Sequence, residues 1–194
     1  MTILFFDLET QKLAYEVGGW GNIEALGMAV GCTYDDQAGY RDWWEAQAAD
    51  LLDELRRAEL IVGYNVTHFD YRVLSLYGDS SVLEERTFDM LDEIFQQMHR
   101  RVALNSLAVI NLGEAKIFES GVHAVRLYRQ GRMEELIAYC RRDVELTRRL
   151  YEHWEAQGIL WISKVEYVVW PGVRSAEDLV VADEEEDESN GLPA

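Results

Sequence analysis

The sequence predicts an α/β domain with a central mixed β-sheet flanked by helices, and three observations lead there. Short apolar segments of strand length alternate with longer segments whose apolar residues recur at helical spacing. The first two strand-like segments follow one another closely enough for part of the sheet to be antiparallel. The chain has 194 residues and 48% hydrophobic content, which is enough to bury one core of ordinary size.

The elements follow in order. Ile3-Leu4-Phe5-Phe6 is a brief, aromatic-rich apolar run that ends in acids, the pattern of a buried strand. Glycines make Val17 to Asn22 a loop, and Leu26 to Tyr34 reads as a second strand. Residues 45–59 space Ala48, Leu51, Leu52 and Leu55 at helical intervals, and Leu60 to Tyr64 is strand-like. Asn65 to Tyr77 returns to helix, with Asn65 or Thr67 as its N-cap. Thr87 to Leu91 fits either a strand or the start of a helix. Leu104 to Leu112 is a short helix stopped by Gly113. From Met133 to Gln157, Leu136, Ile137, Cys140, Val144, Thr147, Leu150, Tyr151 and Trp154 trace a 3.6-residue stripe, with Gly158 as the C-cap. Trp161 to Trp170 is a strand or hairpin arm ended by Pro171-Gly172. The domain is therefore expected over residues 1–172, followed by an acidic tail over 173–194. Its Asp183 to Glu188 block carries no apolar residue and should be disordered.

Composition narrows the setting. No apolar run approaches the ~20 residues that span a bilayer, and no basic segment precedes the opening apolar residues, so neither a membrane span nor a signal peptide is expected. Cys32 and Cys140 lie far apart without CxxC spacing, which offers neither a disulfide framework nor a zinc knuckle and points to a reducing cytoplasm. The net charge of −18 argues against a nucleic-acid partner, but residues 1–85, 86–149 and 150–194 carry −11, +2 and −9, so the middle is basic. A protein that gathers carboxylates to hold cations also looks acidic until the metals are counted.

Three segments carry candidate chemistry. In Asp7-Leu8-Glu9, strand alternation turns both carboxylates to one face, where they repel unless a cation lies between them; a hydrated strand end is the plainer explanation of the pair alone. Asp70 ends the string Asn65-Val66-Thr67-His68-Phe69-Asp70, and an acid in a first helical turn is ordinary. Tyr139 and Asp143 are four apart on the long helix and share a face at the edge of its apolar stripe. The histidines at 68, 99, 123 and 153 do not cluster in sequence.

Together these segments resemble the three motifs of DEDDy 3′→5′ exonucleases of the ribonuclease-H-like superfamily: an Asp-x-Glu strand, an Asn-x-x-x-Phe-Asp segment and a Tyr-x-x-x-Asp helix. The order and intervening lengths fit as well. The chain is similar over about residues 1–155 to the proofreading exonuclease domains of family B DNA polymerases and their stand-alone relatives. Leu104 to Ala108 with Leu112 to Lys116 resembles the segment that precedes their third motif. In the sister DEDDh group a histidine stands five residues before the last aspartate. Here that position is Ala138, and Tyr139 stands four before it. Nothing like a polymerase palm follows Trp170.

The resemblance implies a ribonuclease-H-like fold and hydrolysis of single-stranded nucleic acid from its 3′ end to nucleoside monophosphates, with DNA ahead of RNA. It implies two divalent cations, Mg²⁺ or Mn²⁺, with Asp7 bridging both, Glu9 and Asp143 completing the site of the attacking water, and Asp70 acting through the second metal's waters. Tyr139, whose ordinary pKa is near ~10, orients that water by a hydrogen bond. For the substrate, Trp20 in its glycine-rich loop is a candidate to stack on a base. Asn65 either holds the strand or caps a helix, Phe69 packs beneath Asp70, and Arg141 or Arg142 is a candidate for the phosphate backbone. A catalytically silent exonuclease fold that binds nucleic acid or docks a protein partner through the acidic tail is the competing class, and an endonuclease on the same fold is a second rival.

Overall fold

The computed structural model describes residues 2–114 and 121–171. The chain opens with β1 (Ile3–Thr10), β2 (Met28–Asp35) and β3 (Gly39–Trp44), followed by α1 (Ala48–Arg57) and β4 (Leu60–Gly63). The short α2 (Asp70–Leu74) leads to β5 (Thr87–Asp89), α3 (Met90–Met98), α4 (Leu104–Leu112) and α5 (Gly121–Arg129). The long α6 (Met133–Gln157) precedes a hairpin of β6 (Ile159–Trp161) and β7 (Tyr167–Val169). The expected mixed sheet is present, in the order β3-β2-β1-β4-β5. Its β3-β2-β1 half is antiparallel, whereas β4 and β5 run parallel to β1.

β1 reads as a continuous apolar run because both of its faces are covered. Leu4, Phe6 and Leu8 pack with Met28, Ile61 and the buried leucines of α1, while Phe5 packs with Val62 and the inner stripe of α6. Register then decides where the chemistry sits. Parallel pairing with β4 ends at Phe5↔Val62, but antiparallel pairing with β2 continues through Asp7↔Cys32 and Glu9↔Val30. β1 therefore outruns its parallel neighbour and carries Asp7, Leu8 and Glu9 past the end of β4, where the chain turns back toward them.

Several elements depart from the sequence expectation. β3 has no apolar alternation, since it is an edge strand half-exposed along most of its length. The turn before it is built by Asp35, whose carboxylate accepts the N–H groups of Gln37 and Ala38 at 2.8 Å each, and by Gly39 at φ 72°. The expected helix over 65–77 shortens to Asp70–Leu74, and the 45–59 helix starts at Ala48. Thr87 to Leu91 is both things, a three-residue strand that passes into α3 with Asp89 as the cap. The loop at 17–22 contains 3₁₀ turns, with Gly18 and Gly19 at φ 85° and 108°. α5 was not expected; it buries Ala124, Val125 and Leu127.

α6 follows its stripe closely, burying Leu136, Cys140, Val144, Thr147, Leu150, Tyr151 and Trp154 while Ile137 stays half-buried. Gly158 ends it at φ 70°, and its N–H donates to the Trp154 carbonyl at 2.9 Å. The 161–170 segment belongs to the β6–β7 hairpin, whose Trp170 stacks on Phe88 and meets Trp154 edge-on. The acidic tail and Lys116 lie outside the described residues. Among those described, no helix is long and apolar enough to cross a membrane.

Candidate metal centre

Strand alternation along β1 puts Asp7 and Glu9 on the same face as Phe5, the face covered by α6. α6, packed on that face, supplies Asp143, and one carboxylate oxygen from each of Asp7, Glu9 and Asp143 lies within 4.8 Å of the other two. Glu9 and Asp143 are only 8% and 4% exposed, so little water screens their repulsion. The cluster passes a simple test of fit. Octahedral Mg²⁺ with oxygens at about 2.1 Å sets neighbouring ligands about 3 Å apart and opposite ones about 4.2 Å apart, within reach of these three carboxylates. The donor set, hard oxygen throughout, suits Mg²⁺ or Mn²⁺.

Asp70 joins from behind. It is buried at the first residue of α2, and its Oδ1 accepts the Leu8 N–H at 3.0 Å, the donor that β4 is too short to occupy. Burial, followed by the charge of Asp7, holds its carboxyl well above the usual carboxylate range. The four acids expected from the sequence are thus brought together, three sharing one point and Asp70 hydrogen-bonded between Asp7 and Glu9 on the backbone. Tyr139 is buried at their edge, and burial followed by Glu9, Asp143 and Asp7 pushes its phenol further up. Cys140 passed in the sequence for a core residue, yet its thiol lies 3.4 Å from the Asp7 carbonyl oxygen and 3.7 Å from Asp7 Oδ2.

A residue absent from the sequence reading holds the second segment in place. Asp89, 4% exposed, accepts the N–H groups of Asn65 (2.7 Å), Thr67 (3.0 Å) and Leu91 (3.0 Å), and its Oδ2 lies 2.8 Å from the Thr67 hydroxyl. This corrects the expected helix start. Neither Asn65 nor Thr67 caps α2, because Asp89 has drawn their backbone into a turn with Asn65 at φ 68°, and Phe69 precedes the helix without a side-chain cap. The only sign of it in sequence is an acid at the end of Thr87-Phe88-Asp89. Replacing Asp89 with Ala leaves one buried and two half-buried N–H donors without their acceptor, and urea denaturation should show a loss of about 3 kcal/mol. A loss under about 1 kcal/mol would show that water takes over the role.

The substrate candidates fall into two groups. Trp20 and Phe69 meet with ring centroids 6.3 Å apart, and both line a cleft of about 500 Å³. Leu13, Tyr15 and Val122 make it largely apolar, and Glu9 of the acid cluster stands in its wall. Phe69 is half-buried against the layer that includes Leu8 and Val66, so it packs near Asp70 and also faces this cleft. Asn65 lies elsewhere, with its Oδ1 accepting from Arg101. Arg141 is held by Asp42 through two bonds of 2.8 and 2.6 Å, and Arg142 by Glu114 and Glu145. Among the described residues, no histidine joins the acid cluster.

Comparison with known proteins gives the same architecture. Residues 4–155, from Leu4 in β1 to Glu155 near the end of α6, match the RNase_H superfamily. The fold is similar to the structure of the family B DNA polymerase from the hyperthermophilic archaeon Pyrobaculum calidifontis, with a TM-score of 0.62 and 15% identity over 80% of this chain. The chain spans 25% of that polymerase's length. No curated protein matches. With the family match running through every strand of the main sheet and both elements that carry the acid cluster, this chain belongs to the RNase_H superfamily.

Proposed function

We propose that the chain is a metal-dependent 3′→5′ exonuclease of the DEDDy type that hydrolyses single-stranded nucleic acid, DNA ahead of RNA, to nucleoside monophosphates. The observation that carries this reading is the convergence of Asp7, Glu9 and Asp143 on one point, with Asp70 buried beside them. Asp7, Glu9, Asp143 and Asp70 would hold two divalent cations, Mg²⁺ or Mn²⁺, which would supply charge neutralisation at the phosphoryl oxygens, activation of water and stabilisation of the leaving 3′ oxygen. Asp7 would serve both parts of the site, since it belongs to the three-acid group and its charge also acts on Asp70. Tyr139 keeps its proton at neutral pH and donates a hydrogen bond to the attacking water. Trp20 and Phe69 offer the terminal base an apolar seat beside Glu9.

A single strand labelled at its 5′ end and incubated with Mn²⁺ tests the proposal. A ladder of products shortened from the 3′ end is expected. Internal cuts would replace the exonuclease by an endonuclease, and a lack of any product would favour a binding module.

The acids also predict a pH effect in the metal-free protein. Asp70 holds its proton in the fold to a higher pH than in the unfolded chain, so the native state binds more protons between the two values. Stability therefore falls as pH rises from the usual carboxylate range toward the raised folded value. With EDTA the melting temperature should be lower at pH 8 than at pH 5.5, and Asp70→Asn should flatten that slope. Adding Mg²⁺ or Mn²⁺ should raise the melting temperature at pH 8 by linkage. An unchanged slope in Asp70→Asn would place the effect in the general acidity of the chain.

A further inference from the structure

α3 ends at His99, which is left-handed at φ 53° and donates its N–H to the Phe95 carbonyl at 2.8 Å. That turn carries Arg100 and Arg101 out to the surface, and the Tyr64 hydroxyl pins the segment by donating to the Val102 carbonyl at 2.5 Å. Tyr64 directly precedes Asn65, so the loop after α3 is fastened to the start of the segment that delivers Asp70. The Arg101 guanidinium closes the connection by donating to Asn65 Oδ1. Asn65 itself is fixed before any ligand arrives, its N–H on Asp89 and its carbonyl accepting the Phe69 N–H at 3.1 Å.

Most of the described arginines are ion-paired, whereas Arg101, like Arg57, Arg86 and Arg126, has no carboxylate partner among the described residues. Arg100 is paired with Glu166, Arg141 with Asp42, Arg148 with Glu152 and Arg149 with Glu114. Arg101 is exposed, its partner Asn65 is neutral, and among the described residues no carboxylate lies within ion-pair distance of it. A chain of net charge −18 thus keeps, bonded to the segment that delivers Asp70, a guanidinium without a carboxylate partner among the described residues. Asn65 and Asp70 are five residues apart, at most ~18 Å even if extended, and the turn between them brings them closer. With its oxygen engaged by Arg101, the Asn65 carboxamide has its N–H₂ to offer. A guanidinium and an amide N–H₂ held side by side match the oxygens of a phosphate.

Building on the exonuclease reading above, we propose that Arg101 and Asn65 form a clamp for a backbone phosphate of the single strand whose end lies in the Trp20–Phe69 cleft. Arg101 touches the phosphate. Asn65 holds Arg101 in place and adds a second donor. Asn65 then serves substrate binding as an orienting partner of an arginine, and the clamp reads phosphate while leaving base identity unread.

Two substrates and one binding measurement test this. A single-stranded oligonucleotide presents several backbone phosphates, whereas the p-nitrophenyl ester of thymidine 5′-monophosphate presents only the bond to be cut. Arg101→Ala should raise KM for the oligonucleotide by about 10-fold and leave kcat/KM for the ester at the wild-type value. In EDTA, fluorescence anisotropy with a labelled strand should show binding weakened about 10-fold, with the slope of log K against log salt reduced by about 0.7, the value for one phosphate contact on a single strand. Arg101→Lys should recover part of the loss, and Asn65→Ala should fall between it and Arg101→Ala. Wild-type KM and salt slope in Arg101→Ala would overturn the clamp, as would an equal loss on the ester. A wild type that binds the strand but cleaves neither substrate would sink the exonuclease reading while the anisotropy series still decides the clamp.

Discussion

Asp143→Asn should lower turnover by on the order of 10³-fold while making the metal-free protein more stable than the wild type. Both effects have one cause. Asp143 reaches from α6 to the two carboxylates that β1 presents, and its oxygen lies within 4.8 Å of theirs at 4% exposure, where like charges repel with little screening. Asparagine keeps the shape and removes the charge, so the fold is relieved of repulsion as the site loses a ligand anion. Melting in EDTA should therefore shift upward in the variant, and the increase brought by Mg²⁺ or Mn²⁺ should shrink. Single-turnover cleavage of a labelled strand gives the rate. If cleavage stays within a few-fold of wild type and the metal response is intact, Asp143 is a buried structural acid and the site must be sought elsewhere.

The acid cluster was legible in the sequence because its two halves obey simple periodicities. Two residues apart on a strand put Asp7 and Glu9 on one face, and four apart on a helix do the same for Tyr139 and Asp143. Both elements are buried and apolar, so their patterns are strong. The segment around Asp70 was only half legible. Its residues are those of a helix start, but the conformation is imposed by Asp89, twenty-four residues away from Asn65 and visible only as a single acid. Edge strand β3 left no mark, because half-exposed Tyr40, Arg41 and Asp42 satisfy no buried face. Arg101 was likewise silent, since what singles it out is its bond to Asn65, at the start of the segment that delivers Asp70, a property of tertiary contacts. Local pattern therefore announces chemistry carried on regular elements, while groups that hold the connecting turns have to be read from the fold.

Tyr139→Phe separates aiming from metal holding, and it should slow the chemical step by on the order of 10²-fold without weakening the metal response. Tyr139 is 3% exposed, and its ring packs in the layer that includes Cys140, Leu136 and Phe5. Phenylalanine preserves that packing and deletes only the hydroxyl. Burial and the three neighbouring anions keep the phenol protonated, so what is lost is a hydrogen-bond donor and not a base. The pH-rate profile should then keep its shape and drop as a whole, whereas loss of a general base would change its acidic limb. KM for the single strand and the melting shift with Mn²⁺ should stay at wild-type values, in contrast to Asp143→Asn, where the metal response falls with the rate. Single-turnover rates across pH 6 to 9 decide the matter: a Tyr139→Phe protein that cleaves at the wild-type rate would reduce Tyr139 to a packing residue at the rim of the core and leave catalysis to the carboxylates alone.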